Sequence, residues 1–390
     1  SSYTYWFFNA KNFGYCLQTA VPSGSVTEDV VEGSQQQGFK NINVQNYVYL
    51  LKNELSKFDE EKAATYQQYE AILNVLSTYL GIYDTDFCGD IPYTEASQAR
   101  FGGTLTPKYD KVADLYDLFL ADLDNDIKVF TTAQNQARLT SQDVIYGGDM
   151  TKWAKLANSL KLKIAARLIH QNFEKAKQIV AQVKSASCGV MDGEADNFLF
   201  NKCADNNYNK DYAYQTGNGL GTLYASKTYI DFMLKNQDPR VRFIYAKNSW
   251  NSKVVDSFLK AGKAVPSFIM ANVETEQIDG KTRFKAWKGL GEPWVRYHGY
   301  PTDFNVGVDD AFADWFKSDN AKYDDQHSYN RISYIQEEML RGRVDFTVPV
   351  AAEDDTKVIR DTEDVPWWGM YMSTAEVNLY LAEFAIYEGA

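Results

Sequence analysis

The sequence contains no long apolar run: the stretch of about 18 apolar residues that a bilayer-crossing helix needs occurs nowhere. It therefore predicts no transmembrane helix. Dense runs of Lys or Arg are also missing, and the formal net charge is −12. Because nucleic acids and anionic lipid surfaces attract basic proteins, we expect neither as a partner.

Histidine is scarce, with only His170, His298 and His327 in 390 residues. None of them belongs to an H-E-x-x-H motif, and no G-x-S-x-G elbow, phosphate-binding loop or dinucleotide fingerprint occurs. The 52 acidic residues are too many for any one carboxylate pair to indicate glycoside hydrolysis. The sequence thus predicts a protein without catalytic activity, and a glycoside hydrolase is the enzymatic alternative.

Metal-binding and redox motifs are equally sparse. The four cysteines, Cys16, Cys88, Cys188 and Cys203, form no C-x-x-C pair, which argues against a zinc ribbon or a thioredoxin-like site. A Cys188–Cys203 disulfide is compatible with the sequence but not required by it. We expect no cofactor. A weak calcium candidate has oxygen-bearing residues at alternate positions, but Lys210 and Thr216 replace its turn glycine and its bidentate glutamate, so a polar turn is favoured. Its four residues are Asp205, Asn207, Asn209 and Asp211.

Aromatic residues, in contrast, are abundant, at 15% of the chain. Tyr and Trp combine a flat apolar face with one polar group, which suits the apolar faces and hydroxyl rim of a sugar ring. Some lie where helical periodicity is weak and loops are expected, together with Asn and Arg side chains that could read hydroxyl groups. The alternative is that these aromatics pin long loops onto the scaffold. The candidate ligand-binding residues are Phe101, Tyr208, Tyr212, Asn218, Trp250, Trp287, Trp294, Arg296, Tyr297 and Trp315.

Apolar residues recur at helical spacing through the first half of the chain. They predict a helix over 43–57, further helices that begin near residues 59, 110, 149 and 172, and a last helix from about Thr374. Asp149 is a suitable N-cap for the fourth of these. The predicted inward stripe of the second helix consists of Tyr66, Tyr69, Leu73, Leu76 and Leu80. The fold class is therefore mainly α, with helical hairpins, long irregular loops and minor β structure in the second half.

Several motifs occur in a fixed order and together resemble the SusD/RagB-like outer-membrane nutrient-binding lipoproteins of Bacteroidetes. The most specific is the stretch 143–162, which reads D-x-x-Y-G-G-D-x-x-K-W-x-K-x-A-N-S-L-K-L. The others are F-C-G-D-I-P-Y-T-E-A at 87–96, T-P-K-Y-D at 106–110, Asp238-Pro239-Arg240, and the late helix with Ala375-Glu376-Val377 and Ala382-Glu383.

This resemblance implies a single SusD-like domain over 1–390. Residues 40–186 would form a scaffold of tetratricopeptide-like hairpins, 187–345 a loop-rich ligand-binding region, and 372–389 a late scaffold helix. A C-terminal segment, and the N-terminal lipidated cysteine through which alone such proteins contact the membrane, would lie outside this chain.

The resemblance also implies a function at the cell surface. Such proteins capture glycans and deliver them to a SusC-like TonB-dependent transporter in the outer membrane. Two alternatives stay open within the same architecture: capture of oligopeptides, and a purely structural lid on the transporter.

Overall fold

The computed structural model describes residues 19–20, 39–201, 224–289, 294–299, 319–320, 328–329, 331–333 and 368–389. Its helices in chain order are α1 (Asn41–Leu55), α2 (Glu60–Ala64), α3 (Gln67–Cys88), α4 (Val112–Thr132), α5 (Met150–Leu168), α6 (Phe173–Ser185), α7 (Lys227–Lys235), α8 (Val241–Ile244), α9 (Ser252–Lys260), α10 (Ser267–Met270) and α11 (Thr374–Tyr387). Its strands are β1 (Thr19–Ala20), β2 (Phe198–Asn201), β3 (Tyr224–Ala225), β4 (Val273–Ile278), β5 (Lys281–Trp287), β6 (Asp319–Asn320), β7 (Ser328–Tyr329) and β8 (Trp368–Met372).

The chain divides into two compact units. The helical unit comprises residues 37–201 and 368–390, and the mixed unit comprises residues 1–36 and 202–367. The strands form two-stranded antiparallel pairs, β2 with β8 in the helical unit and β1 with β3, β4 with β5, and β6 with β7 in the mixed unit. The prediction of a mainly α fold with minor β structure is confirmed.

In the helical unit, each long helix packs against the next one along the chain. Contacts run from α3 to α4, from α4 to α5 and from α5 to α6, while α1 packs on α3. The buried faces of α4 and α5 agree with the periodicity of the sequence, since Leu115, Phe119 and Leu123 on one helix and Leu156 and Leu160 on the other are almost fully buried. These helices therefore form the stacked hairpins that the sequence predicts.

The inward face predicted for α3 is wrong. Leu73, Leu76 and Leu80 are only half-buried, whereas the face that carries Val75 and Ile82 is fully buried. The reason is that α3 packs against α1, α4 and α5 at once, so small residues are needed where helices approach closely. At Gly81 an added Cβ would lie 2.6 Å from Cζ of Phe119.

The D-x-x-Y-G-G-D motif builds the start of α5. Asp143 accepts hydrogen bonds from the backbone N–H groups of Ile145 (3.0 Å), Tyr146 (3.2 Å) and Gly148 (2.9 Å), and from Nε1 of Trp153 at 2.7 Å. Gly148 has a φ of 85°, and a Cβ there would lie 2.0 Å from the carbonyl oxygen of Leu139, so only glycine fits.

Two further polar residues of the stretch 143–162 cap α5 and tie it to its surroundings. Asp149 is the N-cap of α5, as predicted, because its Oδ1 accepts from the N–H groups of Thr151 and Lys152. Nδ2 of Asn158 donates to the carbonyl oxygens of Val183 (3.1 Å) and Gly189 (2.9 Å). The motif therefore has a structural role in the scaffold.

The last described segment closes the helical unit. Strand β8 pairs antiparallel with β2, and Ser373 caps α11 by accepting a hydrogen bond from the N–H of Glu376 at 3.1 Å. Glu376 in turn forms an ion pair with Lys163 of α5 at 2.8 Å. The predicted late helix is thus present and packs against the scaffold.

The mixed unit has its own small core, centred on α9 and the β4–β5 hairpin. Trp250, Val255, Phe258 and Ile269 are nearly or fully buried there, together with Val273. The hairpin turns at Asp279-Gly280, whose φ angles of 51° and 74° fit the two-residue turn that matches strand twist. Among the described residues, no helix of either unit has the length and apolarity needed to cross a membrane.

Candidate ligand-binding surface

The connection between α3 and α4, residues 89–111, is anchored at both ends. Asp110 accepts hydrogen bonds from the N–H groups of Tyr93 (3.1 Å) and Thr94 (2.7 Å), while its own N–H donates to the carbonyl oxygen of Ile91 at 2.9 Å. Burial would raise the pKa of Asp110, but these hydrogen bonds and the charge of Lys108 outweigh it and hold the pKa below its usual value. The carboxylate thus stays charged and keeps the loop closed.

The polar residues that anchor this connection therefore have a structural role, and the exposed part of the connection lies between them. Tyr109 is 61% exposed, and its ring packs edge-on against Phe39 with centroids 6.0 Å apart. Lys108, the residue before Tyr109, donates a hydrogen bond from its N–H to Glu95 Oε2 at 3.1 Å. An exposed aromatic ring with a firm backing and charged neighbours is the arrangement that a sugar ring can stack on.

Phe101 is the one predicted ligand residue of this connection. It ends a short 3₁₀ turn, Ala99–Phe101, where it is half-buried, and the guanidinium of Arg100 lies 5.5 Å from its ring centroid. Leu105, farther along, is 87% exposed. Phe101 and Tyr109 thus belong to the same connection, which we call the aromatic connection (residues 95–109).

Three predicted ligand-binding residues of the mixed unit are buried and expose almost no surface to a ligand. Trp250 is fully buried, and its ring packs against Phe258 with centroids 4.7 Å apart. Arg296 is also fully buried and donates to the carbonyl oxygen of Asn248, and Tyr297 is 4% exposed. Their burial contradicts a role in stacking on a ligand or reading its hydroxyl groups, because a ligand could not reach them in this conformation.

Trp287 is less buried than these three residues but less exposed than Tyr109. It is half-buried at the end of β5, and its ring packs on Phe284 at an interplanar angle of 65°, with centroids 5.0 Å apart. Its buried indole N–H has no acceptor among the described residues. The other predicted residues lie outside what the structure describes: the side chain of Trp294, the residues Tyr208, Tyr212, Asn218 and Trp315, and the calcium candidates Asp205, Asn207, Asn209 and Asp211.

The described cysteines and potential metal-binding side chains do not add to this candidate site. Cys88 and Cys188 are free thiols, and Cys203, the partner considered for Cys188, lies outside the described residues. Within the described ranges, no group of three or more His, Cys, Asp or Glu side chains is placed to hold a metal ion.

His298 is half-buried and packs against Phe268, with the two rings parallel and their centroids 3.7 Å apart. Burial and then the charge of Lys227 lower its pKa to about 3, whereas an unfolded chain binds the proton near pH 6.5. Stability from this site is therefore complete above about pH 6.5 and falls as the pH drops towards 3. We expect a loss of about 2 kcal/mol at pH 5, measured by urea unfolding followed by tryptophan fluorescence.

Because the chain has only three histidines, the protonation of His298 can be followed directly by NMR. The ring protons of His298 should show no titration in NMR spectra between pH 5 and 8, and the substitution His298→Gln should remove the acid loss in stability. His170→Gln, at an exposed position after α5, is the control and should leave the pH slope unchanged. Titration of His298 near pH 6.5 would contradict the prediction.

The helical unit is a scaffold of stacked helical hairpins that holds the aromatic connection at its surface. The chain belongs to the SusD-like family, since the family model described as "Starch-binding associating with outer membrane" matches residues 9–274. By that description, the family associates with the outer membrane. No curated protein sequence matches the chain.

Solved structures support the same fold. The chain is similar to a chitin-binding protein (19% identity, TM-score 0.62, covering 99% of this chain and 66% of that one). It is also similar to a SusD homologue from Bacteroides fragilis NCTC 9343 (20%, 0.56, 100% and 64%) and to a SusD-like protein of Bacteroidetes (18%, 0.59, 100% and 70%). At these identities the likeness shows the fold, including its tetratricopeptide-like hairpins. The chain thus spans about two thirds of the length of these proteins.

Proposed function

We propose that this protein captures glycans at the cell surface, without catalysis, and delivers them to a SusC-like TonB-dependent transporter. The observation that carries the glycan assignment is the exposed ring of Tyr109 in the aromatic connection, backed by Phe39 and preceded in the chain by Lys108, which donates a hydrogen bond to Glu95. The family description, starch-binding, and the chitin-binding neighbour support the same ligand class.

The geometry of the aromatic connection favours binding over chemistry. Asp110, the acidic residue that follows Tyr109 in the chain, is held by hydrogen bonds and has a lowered pKa, so it is a poor proton donor at neutral pH. His298 stays neutral and packs against Phe268. The transporter and an N-terminal lipid anchor belong to this proposal through the family alone.

The experiment is isothermal titration of the chain with a panel of oligosaccharides. Tyr109→Ala removes the exposed ring and should weaken glycan binding about 5–10-fold, a loss of roughly 1 kcal/mol that is typical of one aromatic contact. Tyr109→Phe keeps the ring and should retain most of the affinity.

Tyr47→Ala is the matched control. Tyr47 is 63% exposed on α1, and it lies two residues from Tyr49, whose hydroxyl accepts a hydrogen bond from Gln98 of the aromatic connection. Residues two apart on a helix do not share a face, so this variant should bind like the parent chain. Binding of oligopeptides with silence across all glycans would overturn the glycan assignment and leave the family membership intact.

A further inference from the structure

The helical unit contains a cleft away from the aromatic connection, with a volume of about 530 Å³. That size falls within the range of clefts that hold small-molecule ligands, about 300–1,000 Å³. Its walls are the start of α3 at Gln68, the segment 136–140 and the turn 147–150 before and into α5. The sequence Gly147-Gly148-Asp149 of the Y-G-G-D motif therefore forms one wall.

The walls are fixed by hydrogen bonds within the scaffold. Gln136 accepts from the N–H of Gln68 at 3.1 Å and donates to the carbonyl oxygen of Ala64 at 2.9 Å. The N–H of Ala137 donates to the carbonyl oxygen of Thr65 at 2.7 Å. Because the walls are ordered before any ligand arrives, binding there costs little further ordering.

Several polar groups along the cleft have unused hydrogen-bonding capacity. The guanidinium of Arg138 and the side-chain amide of Gln68 make no hydrogen bond to any residue that the structure describes, and only Oδ1 of Asp149 caps α5, which leaves its Oδ2 available. The guanidinium only donates, the carboxylate only accepts and the amide does both. The two charges cancel, so the lining favours a neutral ligand.

We propose that this cleft is a second glycan-binding site, which takes a short neutral oligosaccharide. Each sugar hydroxyl both donates and accepts a hydrogen bond, so adjacent hydroxyls can pair with Arg138, Asp149 and Gln68 together. Met150 and Leu139 supply apolar surface beside these groups. The inference rests on the proposed function and adds a contact for the same glycan on the scaffold.

The test reads the cleft directly, through methyl NMR of protein labelled with ¹³C-methyl methionine. Met150 lines the cleft, and its signal is assigned by comparison with Met150→Leu. Short neutral oligosaccharides should shift the Met150 signal, and Arg138→Gln should weaken that response about 10-fold or more, because hydrogen bonds from a charged donor are lost. Asp149→Asn keeps a good N-cap and should also weaken the response.

Two controls separate the sites. Lys128→Gln removes an exposed positive charge on α4, outside the cleft lining, and should leave the Met150 response unchanged. Tyr109→Ala should reduce total glycan binding but spare the Met150 response. Glycan binding by calorimetry with an unmoved Met150 signal would overturn the second site alone. Calorimetric silence for every glycan would overturn it together with the proposed function, and a shift caused only by carboxylated glycans would overturn the neutral class.

Discussion

Replacing Asp143 by alanine should destabilise the helical unit by about 3–5 kcal/mol, the largest loss that we expect from the truncation of a single polar side chain in this unit. Its two carboxylate oxygens accept four hydrogen bonds, three from backbone N–H groups and one from Trp153. Asp143 is 8% exposed and Trp153 1% exposed, so water cannot replace the lost acceptor. The two buried donors, the N–H of Tyr146 and Nε1 of Trp153, would then carry the full cost of desolvation.

The measurement is denaturant unfolding followed by far-UV circular dichroism, which reports mainly on helices. Asp149→Ala is the matched control, because Asp149 also accepts from two backbone N–H groups but is exposed. Loss of such an N-cap costs about 1 kcal/mol. Equal losses for the two variants would show that the burial of Asp143 contributes nothing.

The contrast between these two aspartates also explains what could be predicted from the sequence. The N-cap role of Asp149 depends only on the residues that follow it, and a local pattern predicts it correctly. The role of Asp143 depends on Trp153, ten residues away and on the far side of a glycine turn. A motif can show that these residues belong together, but the hydrogen bonds follow only from the folded turn.

The predictions of the inward face of α3 and of exposed aromatic residues in the mixed unit were wrong for a related reason. Periodicity gives the apolar face of a helix with one neighbour, but α3 has three neighbours and buries the face where Val75 and Gly81 allow close approach. In the mixed unit, Trp250 became core because α9 and the hairpin form a small core of their own. Loop-like sequence does not reveal that core.

The sequence predicts a helix from near residue 110, directly after Tyr109, the best exposed aromatic residue of the candidate site. The helix begins at Val112, because Asp110 is used to close the connection and Asp90 accepts from the N–H of Val112 at 3.1 Å. The sequence feature that could have indicated an exposed tyrosine is the polar run around Tyr109. Thr106-Pro107-Lys108 precede it and Asp110 follows it, which is unusual around a core tyrosine.

A buried carboxyl group between α1, α3 and α4 leads to the second large effect. Asp126 is 3% exposed, its Oδ1 accepts from Nδ2 of Asn74 at 3.4 Å, and its Oδ2 has no partner among the described residues. Burial, and then the neighbouring carboxylates of Asp122 and Glu70, raise its pKa to about 8, while Lys52 acts in the opposite direction. The folded protein therefore holds a proton on Asp126 at neutral pH.

The pH dependence follows from the difference between the two states. An unfolded aspartate loses its proton near pH 3.9, whereas the folded one keeps it to about pH 8. Stability from this site is thus complete below about pH 4 and is lost progressively as the pH rises to about 8. At pH 7 the ionisation of this group in the unfolded state alone lowers the free energy of unfolding by about 2–4 kcal/mol.

Asp126→Asn should remove this loss, because asparagine has the shape of the protonated acid and never ionises. Its amide oxygen can still accept from Asn74, and its N–H group would face the negative charges of Asp122 and Glu70. We expect stability to rise by about 2–4 kcal/mol at pH 7 and hardly at all at pH 4. Asp114→Asn on the same helix, where the side chain is exposed, should change stability by only a few tenths of a kcal/mol at either pH. A destabilised Asp126→Asn variant at pH 7 would mean that the carboxylate is charged and stabilised by Lys52, and a gain of the same size at both pH values would mean that the effect is one of packing rather than protonation.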